Sequence, residues 1–266
     1  MTKILLVGCG KMGGALLEGW LAVGHKLDDI LIVDPSEQTC KDWHERITVV
    51  PAFEEIPANY APDIILFAIK PQVMKDVAPP YRRYADALFV SIAAGKTTAW
   101  LDGLLGGGCS VVRVMPNTPA AVRRGVSAAY ASPPVTPGQK TICSTLLQAV
   151  GSVIWLEDES LMDAVTAVSG SGPAYVFLLA ECLTRAGIDA GLPPDTAALL
   201  ARVTVTGAGE LLHQADDDPA TLRKNVTSPN GTTFAALQVL MAEDGMAPLL
   251  SKAVAAATAR SRELAE

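Results

Sequence analysis

The sequence predicts an α/β fold, a mostly parallel sheet followed by a second, all-helical domain, and three observations predict it. Short β-branched runs alternate with helix-like stretches through the first half. A glycine-rich turn joins the first run to the first helix-like stretch. Past Leu156 the strand signal stops, and Ala/Leu-rich helical sequence takes over. The domain boundary is therefore placed after residue 156, giving domains 1–156 and 157–266.

Taken in order, the runs are Lys3 to Val7, Ile30 to Val33, Ile64 to Ile69, Leu88 to Ile92 and Val111 to Met115. They are apolar without strict alternation, as strands buried on both faces of a parallel sheet are, so helices must cover both faces. The first of these helices is read over Gly14 to Val23. In the second half the helical texture breaks at Gly187 to Pro194, Asp216 to Pro219 and Ser228 to Gly231. Between Thr196 and Leu212 the helix is apolar nearly all round, with Leu199, Leu200, Val203, Leu211 and Leu212 among its residues. Such a helix needs cover on every side. It is either the central helix of its own domain or one face of an isologous homodimer, and the small size of the domain favours the dimer.

Composition narrows the class. In 266 residues, half hydrophobic, a core is easily buried. The net charge of -7 argues against a polyanion-binding surface and so against a nucleic-acid partner. Cys9, Cys40, Cys109, Cys143 and Cys182 form no CxxC pair and no metal-ligand spacing, which reads as reduced thiols and no metal site. Met1 runs directly into a strand-like segment, and the longest uncharged stretch, Ala164 to Ala180, is interrupted by Ser169 to Pro173. A cytoplasmic protein with no secretory leader and no membrane span is expected.

Gly8-Cys9-Gly10-Lys11-Met12-Gly13 directly follows the opening run and precedes the first helix, the context in which GxGxxG holds a dinucleotide. Gly8 permits the tight turn, Gly10 lets backbone approach a pyrophosphate, and Gly13 allows close helix–strand packing. The helix start beyond them, with Lys11 and Met12, offers N–H groups and a positive dipole end to phosphates. This is the Rossmann arrangement, and the first domain is read as one. Asp34 ends the second run 21 positions after Gly13, where an acid binds the adenosine ribose. A carboxylate there repels a 2'-phosphate, which leans toward NADH, although the nearby Ser36 and Lys41 leave NADPH open. Further strand ends, Ala68-Ile69-Lys70-Pro71, Ala93-Ala94-Gly95 and Met115-Pro116-Asn117-Thr118-Pro119, supply the remaining cofactor-binding candidates: Ala68, Lys70, Pro71, Ala93, Ala94, Gly95 and Asn117. Lys70 reads equally as a ligand contact and as a solvated cation.

Three segments then carry a specific resemblance. Met115 to Pro119, Ala167-Val168-Ser169-Gly170-Ser171-Gly172-Pro173-Ala174-Tyr175 and Thr227-Ser228-Pro229-Asn230-Gly231-Thr232-Thr233 resemble, in order and spacing, the pyrroline-5-carboxylate reductase family. The likeness spans essentially the whole chain. It implies reduction of the cyclic imine 1-pyrroline-5-carboxylate to L-proline with NADPH or NADH, the last step of proline synthesis. It also implies a helical domain that forms an intertwined dimer, with rings of dimers in some members. Two positions depart from the family. Asn230 stands where Gly is common, yet Asn tolerates positive φ. Asp34 stands near a turn where NADPH-preferring members carry neutral or phosphate-accepting residues.

The residues agree with that chemistry. A protonated imine already carries the charge that makes it a hydride acceptor, so no strong catalytic acid is required. None of the three histidines, His25, His44 and His213, falls in a candidate motif, and all are read as surface or helix-end residues. The loop Ser228 to Thr233 leads into a helix read over Phe234 to Met241 and is taken as the substrate site, with Asn230, Gly231 and Thr232 between its ends. Taken alone, its hydroxyls are also ordinary helix caps. By resemblance, Ser228 contacts the substrate carboxylate, and Thr233 hydrogen-bonds the ring nitrogen and relays its proton. Other readings remain open: a reductase of another cyclic imine, a 3-hydroxyacid dehydrogenase-like enzyme, or a dinucleotide-sensing binding protein without turnover. Against the hydroxyacid version, Ser169 to Glu181 contains no lysine to act as its base.

Overall fold

The computed structural model describes residues 2–43 and 45–265. The chain divides into two compact units, Met1–Gly170 with Thr258–Glu266, and Ser171–Ala257. The first unit runs β1 (Ile4–Val7), α1 (Lys11–Ala22), β2 (Ile30–Val33), α2 (Glu37–Trp43), β3 (Thr48–Val50), β4 (Ile64–Phe67), α3 (Met74–Val77), β5 (Leu88–Ser91) and α4 (Thr98–Leu104). It continues through β6 (Ser110–Met115), β7 (Gly125–Ala131), α5 (Pro137–Gln148), β8 (Gly151–Trp155) and α6 (Met162–Val165).

The strands form one sheet in the order β3-β2-β1-β4-β5-β6-β7-β8. Neighbours are parallel except β6 and β7. Strand order reverses beside β1, whose residues pair with β2 on one side and β4 on the other, so a crevice opens beyond their carboxyl ends. The unalternating apolar runs have the physical cause read from sequence. Ile4 and Leu6 enter one core with Leu16, Leu17 and Trp20 of α1, while Leu5 and Val7 enter a second with Met74, Tyr81 and Leu101. Trp20 also ties α1 to α5 through an indole N–H donated to the Leu146 carbonyl at 2.9 Å.

Three strands go beyond the sequence reading. β3 is short and partly exposed, β7 (GVSAAYA) is built of small residues, and the exposure of β8 alternates, so none carries an unbroken buried apolar run. The first helix starts at Lys11, not Gly14, because both glycines fit inside its first turns. The expected domain boundary coincides with the end of β8, whereas the compact units part between Gly170 and Ser171. Cys9, Cys109 and Cys143 are buried free thiols and Cys182 an exposed one. His25 follows the end of α1, and His213 is exposed in the last turn of the long helix of the second unit. His44 and the side chain of Cys40 lie outside the described residues.

The second unit is helical: α7 (Gly172–Asp189), α8 (Pro194–Gln214), α9 (Pro219–Asn225), α10 (Thr232–Leu240) and the start of α11 (Met246–Ala265). α10 begins two residues before the expected Phe234. The loop between α7 and α8 brings their ends close, since a Cβ at Gly187 would stand 3.2 Å from that of Ala197. Within this unit the buried hydrophobic residues are Ala197 and Ala201, both on α8, while Phe177 is 69% and Val239 72% exposed. α8 is thus apolar nearly all round, as expected, but its own unit covers only one stripe. Among the described residues no helix is long and apolar enough to cross a membrane.

Candidate functional site

The glycine loop has the geometry its spacing requires. Gly8 adopts φ +87°, and its N–H donates to the Val33 carbonyl at 2.8 Å. A side chain there would meet the Ala68 carbonyl oxygen at 2.8 Å, and one at Gly13 would meet the Gly8 carbonyl oxygen at 2.5 Å. By contrast, nothing lies within 4 Å of a Cβ built at Gly10, so backbone is open to a ligand at that point. Gly10 is also the N-cap of α1 and supplies no side-chain bond to it. The helix start therefore presents uncapped N–H groups and the positive dipole end. Lys11 is exposed at the first helical position, and Met12 packs against the core.

Asp34 is buried at the end of β2, 8% exposed. One carboxylate oxygen accepts the Cys9 N–H at 2.6 Å, and the other accepts the Ser36 N–H at 2.8 Å. The acid thus straps the glycine loop to the second strand. The Cys9 thiol is pushed up to about 12, first by burial and then by the charges of Asp34, Glu18 and Asp42. Gly8, Gly10, Asp34, Ala68 and Lys70 line one cleft of about 520 Å³, walled by Phe53 among other residues. That size falls in the range of cofactor pockets, about 300–1,000 Å³. An open helix start, a buried acid at the end of β2 and an apolar wall together fit the adenosine and pyrophosphate parts of a dinucleotide. Lys70 is exposed at this cleft, just ahead of the tight turn opened by Pro71.

Further along the sheet, Ala93, Ala94 and Gly95 follow β5, with the Ala93 N–H donated to Ser91 Oγ at 3.2 Å. Asn117 follows β6. Its Oδ1 accepts the Val126 N–H at 2.9 Å, and its Nδ2 donates to Ser169 Oγ at 3.3 Å. Ser169 lies in a π-helical turn, Thr166–Gly170, a feature common at functional sites that has no sequence signature of its own. Sequence reasoning also passed over Arg113. This arginine is 7% exposed on β6 and pairs with Glu159 at 3.3 Å, and Glu159 in turn accepts from the N–H and hydroxyl of Thr98 at 2.8 and 2.9 Å. A lone arginine in an apolar strand was the available signal.

In the second unit the hydroxyl-bearing loop follows α9, which Asp218 caps by accepting the Ala220 and Thr221 N–H groups. Asn230 adopts φ +58°, the left-handed conformation that Asn tolerates in place of Gly. Gly231 then donates its N–H to the Ser228 carbonyl at 3.1 Å and serves as N-cap of α10 without a side-chain bond. Ser228 and Asn230 are exposed, Thr232 opens the helix and Thr233 is half-buried. The loop therefore offers the hydroxyls of Ser228, Thr232 and Thr233 beside an uncapped helix start, a receptor suited to a carboxylate.

Comparison with known proteins bears on both units. Residues 159–264 match the family model described as pyrroline-5-carboxylate reductase dimerisation, and residues 3–95 match one described as NADP oxidoreductase, coenzyme F420-dependent. The chain is 44% identical over 270 residues to a pyrroline-5-carboxylate reductase of Pseudomonas aeruginosa, covering 99% of this chain and 97% of that one. It superposes on a pyrroline-5-carboxylate reductase structure from Coxiella burnetii with a TM-score of 0.93 at 33% identity, covering 100% of this chain and 99% of the other. A Plasmodium falciparum pyrroline carboxylate reductase with NADP bound gives a TM-score of 0.83 at 28% identity, covering 100% of this chain and 98% of that one.

Proposed function

The chain belongs to the pyrroline-5-carboxylate reductase family, and from that membership we propose that it transfers a hydride from NAD(P)H to the imine carbon of 1-pyrroline-5-carboxylate and releases L-proline. It is an NAD(P)H-dependent oxidoreductase acting on a C=N bond. The observation that carries the reading is a family likeness along the whole chain that includes both an open glycine loop and an open, hydroxyl-flanked helix start.

The dinucleotide, when bound, supplies the hydride. The chain's own residues bind, orient and protonate. The Gly8 to Gly13 loop and the start of α1 hold the pyrophosphate, and Asp34 accepts hydrogen bonds from the adenosine ribose. Ser36, Ala68, Lys70, Pro71, Ala93, Ala94, Gly95 and Asn117 complete the cofactor site. Ser228 and the N–H groups at the start of α10 receive the substrate carboxylate, with Asn230, Gly231 and Thr232 giving the loop its shape. Thr233 hydrogen-bonds the ring nitrogen and relays its proton. A protonated imine asks little more of the protein than exclusion of water and an acceptor carbon held about 3–3.5 Å from the donor carbon.

The helical part is a dimerisation domain; the chain forms a homodimer and acts on a small-molecule substrate. We assign dinucleotide binding to residues 1–156, and substrate binding and dimerisation to residues 157–266. A larger ring of dimers, a cytoplasmic location and a preference for NADH set by the charge of Asp34 belong to the same reading. One assay tests it: purified protein, the pyrroline acid and each reduced coenzyme in turn. Coenzyme oxidation matched by proline is expected, faster with NADH; no oxidation with either coenzyme contradicts the function, and faster turnover of NADPH contradicts the role of Asp34.

A further inference from the structure

Six hydroxyls on the helices of this protein share a habit. Thr141, Thr145, Thr166, Thr184, Thr206 and Ser251 each donate to the carbonyl four residues earlier, which uses the hydroxyl proton inside the helix. Ser169 departs from it. In its π-helical turn the side-chain oxygen instead accepts from Asn117 Nδ2 at 3.3 Å. The orientation of that amide is fixed chemically, because the Val126 N–H at 2.9 Å can be received only by the amide oxygen, leaving the NH₂ end to face Ser169. An amide nitrogen offers hydrogens only. Ser169 must therefore accept from Asn117, and its own hydrogen is turned elsewhere, with no acceptor among the described residues.

The turn lies at the carboxyl end of β6: a Cβ at Gly170 would stand 2.5 Å from Met115 Cε. Asp34 marks the ribose on the β2 flank of the crevice, and the sheet order then puts the pyridine end toward β4, β5 and β6. The pyridine ring carries a planar carboxamide whose carbonyl oxygen needs a donor in a site that excludes water. Resting on the reading that the first unit holds a nicotinamide dinucleotide, we propose that the Ser169 hydroxyl donates a hydrogen bond to that carboxamide oxygen, and that Asn117 is the positioning residue that makes it a donor.

Binding rather than turnover tests this. Dissociation constants are measured by fluorescence quenching for the reduced coenzyme, for its thionicotinamide analogue, whose sulfur accepts weakly, and for ADP-ribose, which lacks the pyridine. Ser169→Ala is expected to weaken the coenzyme about tenfold, the thio analogue less, and ADP-ribose by less than about twofold. Asn117→Asp keeps an oxygen for the Val126 N–H but presents a carboxylate to Ser169, which draws the hydroxyl proton inward. It should give the same pattern with the fold intact, and the double variant should bind no worse than Ser169→Ala alone. Unchanged coenzyme affinity in both variants, or a loss shared equally by ADP-ribose, overturns the proposal. So does a raised KM for the imine acid at unchanged coenzyme affinity, which assigns the hydroxyl to the substrate. If ADP-ribose fails to bind the unaltered protein, the dinucleotide reading falls first and this proposal with it.

Discussion

On β1, Ile4 and Leu6 enter one core and Leu5 and Val7 another, and none of the four is more than 2% exposed; on α8, Ala197 and Ala201 are buried while Leu199, Val203 and Leu211 are 62%, 57% and 66% exposed. The same hydrophobic residue types thus lead to opposite outcomes in the two units. A sheet with helices on both faces closes its own core, and the loops at its carboxyl edge become free to hold a ligand. A few helices cannot cover apolar surface on all sides, so the second unit calls for a partner surface, in keeping with its match to a dimerisation domain. The proposed dinucleotide site is accordingly built from the first unit alone, whereas the proposed substrate loop lies in the unit that matches a dimerisation domain.

Breaking the second half of this contrast should have the largest effect. Leu199→Asp with Val203→Asp places charge on the exposed stripe of α8. Light scattering should show the mass fall from two chains to one, and catalytic activity should be lost while ADP-ribose still binds. A double variant that remains dimeric and active would remove α8 from the interface. The first half is tested at Gly13, where a methyl would fall 2.5 Å from the Gly8 carbonyl oxygen. Gly13→Ala should weaken coenzyme binding about a hundredfold, roughly 2.7 kcal/mol, with the dimer intact by the same light-scattering measurement.

The loop before α10 predicts a smaller change. Thr233→Ala and Ser228→Ala should each lower kcat/KM about tenfold or more, as for a lost hydrogen bond to a charged group worth about 1.5–3 kcal/mol. Unchanged kinetics in both would take the loop out of the site. Cys9 sharpens the picture of a closed first unit most gently. Its ordinary value near 9 is raised to about 12, so the thiol stays protonated at neutral pH, and peptide mass spectrometry should find it unalkylated by iodoacetamide at pH 8. The unfolded chain gives up this proton first, so the contribution of Cys9 to stability is full below pH 9 and declines between 9 and 12.

What was legible in the sequence follows the same division. The central strands announce themselves because burial on both faces demands unbroken runs such as Ile4–Val7 and Ile64–Phe67. The glycine loop was legible because each glycine answers a separate steric demand. β7 was not, since Ala and Ser carry little hydrophobic signal and its place beside β6 comes from pairing, not composition. The buried Arg113–Glu159 pair joins residues 46 positions apart, a proximity that local pattern cannot reveal. The left-handed Asn230 was anticipated from its residue type, whereas the polarity of Ser169 depends on a hydrogen bond from Asn117, 52 positions away.

The most direct measurement uses reduced coenzyme deuterated at both C4 positions, turned over with 1-pyrroline-5-carboxylate by the purified dimer. Mass spectrometry of the product should show proline heavier by one deuterium, on the ring carbon that was double-bonded to nitrogen. Unlabelled proline, or no proline at all, would contradict direct hydride transfer to the imine.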